Sequence, residues 1–355
     1  FSGDEFAIIL TQLKQETDAA VVAEKIFAEM NAPYEIGEHT LHLSCSIGIS
    51  IYPKDADTAE QLMIRADSAL SEGKRERNVY RFYTRQMQIN AMRKMKLLGH
   101  LRAAMEKNEL HLVFQPQIAA DGRIIGAEAL LRWNNSELGS ISPGEFIPIA
   151  EESGIIVPIG SWVIEQACAA TRSWSAIGLP EFPVAVNLSA RQLRESSLVP
   201  HITSTLQRYE LSPSRLHIEI TESSVLDNPE AAIAMLHRLN SLGVCIAIDD
   251  FGTGFSSLSY LKELPVDFVK IDRSFFIELP DNTKSASLVL GIISMIDGLG
   301  LSIIAEGVET AGQISFLQAN APITIQGYYY SKPLNSEEFV EFVRSQSPPI
   351  HAGMR

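Results

Sequence analysis

Polar side chains recur at the ends of apolar segments along most of this 355-residue chain. An apolar strand does not need such groups for packing, so their repeated placement indicates a common use. The set contains carboxylates, amides and one lysine: Glu128, Asn187, Glu219, Glu222, Asp249, Asp250, Lys270, Glu306, Glu309 and Gln326. If the segments are parallel strands of one barrel, these side chains converge on the mouth where active sites of that fold lie.

The chemistry that suits this set is metal-assisted hydrolysis. Carboxylates crowded into one semi-buried site raise one another's pKa strongly unless positive charge compensates them. Ligands that are all oxygen, without His or Cys, favour Mg²⁺ or Mn²⁺ over zinc. The adjacent acids Asp249 and Asp250 can place one carboxylate between two ions, an arrangement that suits in-line displacement at phosphorus. A single acid at a strand end is more often a helix cap or part of a surface salt bridge, so the prediction depends on the whole set.

Two further charged residues have open alternatives. Arg132 lies four residues after Glu128, on the same face of an extended strand, where it could reach a phosphate; the alternative is a surface ion pair. Asp272 lies two residues after Lys270 and could be a ligand, but a helix N-cap or a loop hydrogen bond is about equally plausible.

The segment Asp249–Leu258, DDFGTGFSSL, is a candidate gate of the site. Gly252, Thr253 and Gly254 permit a tight turn in which the backbone approaches a ligand or a second subunit closely. A Gly-x-Gly pair is a weak signal alone, but here it follows paired acids at a strand end. Glu222 is the candidate to anchor this loop by hydrogen bonds.

The elements that would position these residues are strands alternating with helices, which predicts an α/β fold. The apolar runs are HLVFQPQI, IIGAEALLRW, VAVNLS, LHIEITE, CIAIDD, FVKID, SIIAEG and ITIQGY. Helical patterns such as Val157–Ser175, Pro229–Leu242 and Lys284–Gly298 separate most of them. This alternation predicts a TIM-like (β/α)8 barrel over residues 108–345. The first two runs are predicted to be joined by a two-residue turn, Asp121-Gly122, so the first strand should be antiparallel.

The remaining segments flank this barrel. Residues 1–84 predict a partial α/β domain with a strand FAIIL, a helix from about Asp18 to Met30, a strand in SCSIGISIYP, a second helix near 60–70 and a short strand VYRFY. Residues 85–107 predict a linking helix. Residues 346–355, which contain Pro348-Pro349, predict a flexible tail.

Composition limits the function classes. Nearly half of the residues are apolar, which predicts a folded chain. The formal charge of −14 argues against capture of DNA, RNA or an anionic membrane. Cys45, Cys168 and Cys245 are too far apart to predict a disulfide framework or a thiolate zinc site, which fits a reducing cytoplasm. No apolar run is long enough for a membrane span, so we expect no membrane contact by this segment.

These ordered motifs resemble the EAL domain of bacterial cyclic-di-GMP phosphodiesterases, preceded by the back part of a GGDEF domain. The triplet is Glu128-Ala129-Leu130, within an E-x-L-x-R pattern that Arg132 completes. Matching stretches are FQP, FIPIAEESG, VNLS, IEITES, DDFGTGFSSLSYL, VKID, AEGVET and QGYYYSKP, which together span about residues 100–345. FSGDEF at the start resembles the second family, with Ser2 in place of its first glycine. The resemblance implies a fragment of a longer protein with upstream sensory segments.

The resemblance also implies an activity: hydrolysis of cyclic di-GMP to linear pGpG with two Mg²⁺ or Mn²⁺ ions, which lowers the signal that controls biofilm formation and motility. By the family's pattern, the residues that bind metal are Glu128, Asn187, Glu219, Asp249 and Asp250. Lys270 would orient the attacking water, Glu306 would be the candidate general base and Gln326 a supporting group. Gln115, Leu130, Arg132 and Asp272 would contact substrate. Glu222 and Glu309 would brace the metal site and the loop with Gly252, Thr253 and Gly254, around which a homodimer is expected.

Departures from the family pattern bear on the alternatives. Ala321-Pro322-Ile323 replaces a usual Gly-Cys-Asp step, which affects loop packing more than the ligand set. The GGDEF segment lacks the front half of its domain and therefore predicts no cyclase activity by itself. The alternative to the hydrolase is a catalytically inactive receptor for cyclic di-GMP.

Overall fold

The structure is a computed structural model. It describes residues 4–37, 39–74, 76, 78–226, 228–252 and 261–346. The chain divides into two compact units, Phe1–Gly99 and His100–Arg355. No helix within the described residues is both long and apolar enough to cross a membrane.

The N-terminal unit contains short strands and well-formed helices. Its strands are β1 (Tyr34–Ile36), β2 (His39–Leu41), β3 (Ile47–Ile49) and β4 (Tyr80–Phe82). Strands β1 and β2 pair antiparallel, whereas β3 and β4 pair parallel. The helices are Thr17–Met30 and Ala59–Gly73, and a further helix, Arg85–Ala104, begins in this unit and covers most of the predicted linking segment.

One predicted strand of this unit is wrong. Residues 6–10, FAIIL, form no strand, and the side chains of Phe6 and Ile9 are 89% and 88% exposed. A strand needs a neighbour to satisfy its backbone groups. In the described part of the chain, β3 and β4 pair with each other in a two-stranded sheet that does not include this segment. The strand in SCSIGISIYP is likewise reduced to Ile47–Ile49.

The second unit is built around a closed barrel. Its strands are β5 (Leu110–Ile118), β6 (Ile124–Asn135), β7 (Gly139–Ile141), β8 (Val184–Leu188), β9 (Leu216–Thr221), β10 (Cys245–Phe251), β11 (Phe268–Ile271), β12 (Ser302–Ala305) and β13 (Thr324–Ile325). The sheet order is β5-β13-β12-β11-β10-β9-β8-β6-β7, and β5 also pairs with β6, which closes the ring of eight strands. Strand β7 lies outside the ring and extends β6 as a hairpin.

The predicted barrel with an antiparallel first strand is confirmed. Strand β5 runs antiparallel to both of its neighbours, β6 and β13, and the other barrel pairs are parallel. The link between β5 and β6 consists of residues 119–123 rather than two residues alone, and Gly122 adopts φ +86° within it. Glycine reaches that region without the steric cost of a Cβ.

Helices between the strands bury one face each. The helices of this unit are Pro143–Ser153, Ile156–Ala176, Ala190–Leu193, Leu198–Arg208, Glu222–Leu226, Pro229–Leu242, Thr283–Gly298, Ala311–Asn320 and Ser336–Gln346, with 3-10 turns at Pro213–Arg215 and Arg273–Phe275. Ile159, Val163 and Ala167 in the second of these are buried at a spacing of four residues, as an amphipathic helix on a sheet requires.

The register of the parallel strands brings the polar residues to one end. Asn187 lies opposite Glu219 across β8 and β9, and Asp249 lies opposite Thr221 across β10 and β9. Glu128 on β6 lies opposite Gln115 on the antiparallel strand β5. Asn187, Glu219 and Asp249 lie near the carboxyl ends of their strands, whereas Glu128 is the fifth of the twelve residues of β6, and the register of the closed barrel brings all four together.

Candidate active site

Lys270 is the centre of the polar cluster. Its ammonium Nζ lies 3.1 Å from Glu128 Oε2, 2.5 Å from Glu219 Oε2, 3.3 Å from Asp249 Oδ1 and 2.6 Å from Glu306 Oε1. These acids come from β6, β9, β10 and the residue that follows β12. The lysine is fully buried, with 0% of its surface exposed. Four carboxylates around one ammonium leave an excess of negative charge in a place that water does not screen.

Amide groups fix both oxygens of Glu128. Asn187 Nδ2 donates a hydrogen bond to Glu128 Oε1 at 2.6 Å, and Gln326 Nε2 donates to Oε2 at 2.5 Å. An ionised carboxylate only accepts hydrogen bonds, so both amides must turn their NH₂ groups toward it. The carbonyl oxygen of Asn187 therefore faces away from Glu128 and is available to a cation.

The pKa values reflect this excess of negative charge. Burial raises the pKa of Glu306 to about 8, and Asp249 and Glu128 add to this effect, whereas Lys270 opposes it. Burial and the neighbouring Glu128 raise the pKa of Glu219 well above its ordinary value. Burial alone would raise the pKa of Glu128 too, but Lys270 and the two amides outweigh it and lower that pKa. The site therefore holds protons that a cation would displace.

Lys270 itself remains charged. Burial by itself would lower the pKa of its ammonium, but Glu128, Glu219 and Glu306 raise it well above the ordinary value. The ammonium is thus a permanent positive charge in the barrel.

Two groups of acids have ligand atoms close enough to hold a metal ion. One consists of Glu128, Glu219 and Asp249, the other of Asp249, Asp250 and Glu306, and within each group the atoms lie within 4.8 Å of one another. Asp249 belongs to both groups, as the sequence predicts for a carboxylate between two ions. The donors are all oxygen, which suits a hard divalent cation.

Backbone strain positions Asp250. This residue adopts φ +53°, a left-handed conformation that is uncommon for residues other than glycine, and the register between β10 and β11 shifts at this point. Its backbone N–H donates to Asp249 Oδ1 at 2.9 Å. Burial and the nearby Asp249 and Asp272 raise the pKa of the Asp250 carboxyl. Strain of this kind is found at functional sites and requires support from the surrounding structure.

Two of the predicted substrate contacts, Gln115 and Arg132, lie beside groups of the polar cluster. Gln115 is buried; its Oε1 accepts a hydrogen bond from Gln326 at 3.3 Å, and its Nε2 donates to the Ser331 carbonyl at 3.1 Å. Arg132 is half-buried and donates to the carbonyl of Leu131 at 2.9 Å. Burial lowers the pKa of Arg132, while Tyr328 and Glu128 act against this effect. Leu130 is half-buried, between Glu128 and Arg132 on β6.

Asp272 acts as a helix cap. Its side-chain Oδ1 accepts a hydrogen bond from the Ser274 backbone N–H at 3.0 Å and caps the turn Arg273–Phe275. Among the alternatives that its position left open, the structure shows the N-cap. Asp272 is not a member of either group of potential metal ligands.

The predicted bracing residues Glu222 and Glu309 belong to neither of the two acidic groups. Glu222 is half-buried and begins the helix Glu222–Leu226, while Glu309 is exposed and its backbone N–H donates to Gln313 Oε1 at 2.8 Å. Gly252 adopts φ +91°, and a Cβ there would lie 2.6 Å from the Phe275 ring, so glycine is required by both conformation and space. Thr253 and Gly254 lie outside the described residues.

Sequence reasoning missed Gln117. It is buried and its Nε2 donates to Gln326 Oε1 at 3.0 Å. Gln117 lies two residues after Gln115 and so shares its strand face. That spacing could have identified it, but glutamine in an apolar strand was not by itself a chemical signal.

The fold and the site together define the class of protein: this is a (β/α)8 barrel protein whose acidic mouth, centred on a lysine, suits divalent cations. The family model described as EAL domain matches residues 99–333, and the chain belongs to this family. A second model, described as diguanylate cyclase, GGDEF domain, matches residues 1–79. The resemblance inferred from the motifs is therefore confirmed.

Relatives with names or structures support this assignment. The chain is 42% identical over 343 residues to the bifunctional diguanylate cyclase/cyclic di-GMP phosphodiesterase MucR of Pseudomonas aeruginosa, covering 96% of this chain and 50% of that protein. It is 35% identical over 338 residues to the cyclic di-GMP phosphodiesterase PdeR of Escherichia coli, covering 95% and 51%. A structure of the PaMucR phosphodiesterase in complex with c-di-GMP matches with a TM-score of 0.66 and 43% identity, covering 69% of this chain and 99% of that one. The chain spans about half the length of these curated relatives.

Proposed function

We propose that this chain hydrolyses cyclic di-GMP to linear pGpG in a reaction that depends on two Mg²⁺ or Mn²⁺ ions. The observation that carries this proposal is the pair of acidic groups that share Asp249 beside the buried ammonium of Lys270. The relatives named as cyclic di-GMP phosphodiesterases, and the PaMucR structure with c-di-GMP, supply the substrate.

The donor set fits such ions. Glu128, Asn187, Glu219 and Asp249 would hold the first ion, and Asp249 and Asp250 the second, with Glu306 close to it. The raised pKa values of Glu219, Asp250 and Glu306 support this, because they show more carboxylate than one ammonium can neutralise. When bound, divalent ions at this site neutralise phosphate charge and make water acidic enough to attack near neutral pH.

Side chains of the site would orient the attacking water, accept its proton and bind the substrate. Lys270 orients the attacking water and holds the carboxylates together. Glu306 has a pKa of about 8 and holds a proton at neutral pH in the metal-free site; once bound cations displaced that proton, its carboxylate would be the general base. Arg132 binds a phosphate of the substrate, and Gln115, Leu130 and Asp272 contact the dinucleotide. Gln326 supports Glu128, while Glu222 and Glu309 brace the metal site and the loop that contains Gly252.

We also propose a domain organisation and an oligomeric state for the chain. The proposed parts are the C-terminal part of a GGDEF domain at residues 1–84, a linking helix at 85–107, the EAL barrel at 108–345 and a tail at 346–355. We propose that the protein is a cytoplasmic homodimer that pairs near the loop after Asp250. Upstream sensory segments of a longer parent protein would regulate it. Light scattering with and without cyclic di-GMP tests the dimer, and a single monomeric mass in both conditions would contradict it.

The activity is tested by incubating the protein with cyclic di-GMP and Mn²⁺, Mg²⁺ or EDTA and separating the products by chromatography. We expect pGpG with either metal and none with EDTA. Glu128→Ala should abolish turnover, whereas Glu337→Ala, at an exposed acid on the helix Ser336–Gln346, should not. Binding of cyclic di-GMP without turnover in either metal would instead indicate the receptor.

A further inference from the structure

Gln117 is a second buried glutamine, which contacts Gln326 beneath the acidic cluster. It lies on β5 and is 4% exposed, as is Gln326 on the neighbouring side of the ring. The Nε2 of Gln117 donates a hydrogen bond to Gln326 Oε1 at 3.0 Å, although 209 residues separate them along the chain. Since β5 pairs with β13, ring closure brings these side chains together.

The hydrogen bonds run in one consistent direction. Gln117 donates to Gln326 Oε1, and Gln326 Nε2 then donates to Glu128 Oε2 at 2.5 Å and to Gln115 Oε1 at 3.3 Å. If the Gln326 amide turned over, its carbonyl oxygen would face the Glu128 carboxylate and its NH₂ would face the NH₂ of Gln117. Both contacts would be repulsive, so Gln117 opposes this rotation from the side away from the acids.

Gly126 makes room for Gln117. The two residues are paired directly across β5 and β6. A Cβ on Gly126 would lie 2.5 Å from Gln117 Oε1, whereas its other nearest neighbours would be at 3.6 Å. An added methyl group would therefore press on the end of the Gln117 side chain and on little else.

We propose that Gln117 is a positioning residue that holds the Gln326 amide so that it donates to Glu128 and keeps this carboxylate oriented as a metal ligand. The inference rests on the proposed function of the site, and it assigns part of that function to a residue outside both groups of potential metal ligands and outside the predicted substrate contacts. Groups that orient metal ligands commonly contribute about 10- to 100-fold to metal affinity or activity.

The first test compares Gln117→Leu, Gln326→Leu and the double variant. Mn²⁺ affinity is measured by titration calorimetry, and kcat and KM for cyclic di-GMP are measured separately. We expect each single variant to weaken Mn²⁺ binding by about tenfold or more. Because Gln117 acts through Gln326, the double variant should bind Mn²⁺ no more weakly than Gln326→Leu. Additive losses, or an unchanged Mn²⁺ affinity in Gln117→Leu, would overturn the proposal.

The second test retains the Gln117 amide but displaces it. Gly126→Ala leaves Gln117 in place as a residue but displaces its amide, so it should reproduce the loss of Mn²⁺ affinity even if Gln117→Leu folds poorly. Gln318→Leu is the control, since Gln318 donates to the Ala120 carbonyl in the β5–β6 connection. It should leave Mn²⁺ affinity unchanged. A wild-type Mn²⁺ affinity in a folded Gly126→Ala variant would also contradict the proposal.

These readouts separate the two hypotheses. Absence of pGpG formation by the wild-type protein would refute the proposed hydrolase. The non-additive loss of Mn²⁺ affinity would still be observed if Gln117 positions Gln326, because that measurement does not require turnover.

Discussion

Replacing Lys270 by methionine tests the charge balance of the site. Methionine has a similar length but no charge, so the change removes the ammonium that contacts Glu128, Glu219, Asp249 and Glu306. At about 3 Å, with an effective dielectric constant near 20, each ion pair contributes on the order of 5 kcal/mol before desolvation is subtracted. Removing one partner of a buried pair costs about 3–5 kcal/mol net, because the remaining charge stays buried.

The cost should depend on pH. Without the ammonium, the pKa values of Glu219 and Glu306, which are already raised, rise further. A carboxyl with a raised folded pKa is most favourable to the fold at low pH, and its contribution is lost as pH rises from the unfolded pKa through the folded one. The metal-free variant should therefore lose about 3–5 kcal/mol at about pH 10, above the Glu306 pKa of about 8, and clearly less at about pH 6, where the acids are protonated.

The assay is denaturant unfolding of wild type and Lys270→Met near both pH values, with EDTA and with Mn²⁺. Mn²⁺ should stabilise the variant more than the wild type, because a cation replaces the missing charge, yet pGpG formation should be lost. Lys284→Met, at an exposed position, serves as the control. A destabilisation that is the same at both pH values and in both metal conditions, or retained turnover, would refute this reasoning.

Three further predictions follow from named groups. Because the pKa of Glu306 is about 8 and that of Glu219 is also raised, the metal-free protein should hold protons on these acids at neutral pH and release them on binding Mn²⁺; calorimetry in buffers of different ionisation enthalpy should show this release near pH 7 and less of it near pH 9, and heats independent of buffer at pH 7 would contradict it. Arg132→Ala should raise KM for cyclic di-GMP by about tenfold or more while Mn²⁺ affinity stays unchanged, and Arg132→Lys should recover only part of this, since lysine lacks the planar guanidinium. Burial alone would raise the pKa of Glu109, but hydrogen bonds from Asn135 Nδ2 at 2.8 Å and Trp133 Nε1 at 3.2 Å lower it. The stabilising contribution of the Glu109 carboxylate should thus be present above about pH 4.5 and be lost as pH falls. Glu109→Gln should therefore lower the free energy of unfolding by roughly 2 kcal/mol at neutral pH and by less in acid, as measured by urea unfolding. An equal loss at both pH values would argue against this.

Local pattern was sufficient for most elements of the barrel. The predicted helix Pro229–Leu242 has the same bounds in the structure, and each apolar run that was predicted as a barrel strand forms one. These elements follow from periodicity, which neighbouring residues in the chain establish. The strand predicted at residues 6–10 was wrong, because an apolar run forms a strand only where another strand pairs with it, and local periodicity does not report such pairing.

For the site, the residue types at strand ends predicted the acids that gather, although the same pattern also selected Glu222 and Glu309, which belong to neither acidic group. Glu128, Glu219 and Asp249 lie together because parallel strands of one barrel end at one mouth. Sequence spacing could not decide between ligand and helix cap for Asp272, since both uses place an acid after a strand. That choice depends on the path of the following turn, where the Ser274 N–H meets its carboxylate.

The sequence by itself therefore determined the order of strands and helices, the set of acids and the hard-cation chemistry that they suit. Only the tertiary structure decided how these groups share charge and hydrogen bonds. The ammonium of Lys270 reaches Glu128 across 142 residues of chain, and Gln117 reaches Gln326 across 209. Such contacts depend on the register of distant strands and on closure of the ring by β5, which are set by hydrogen bonding and packing between segments that no local pattern relates.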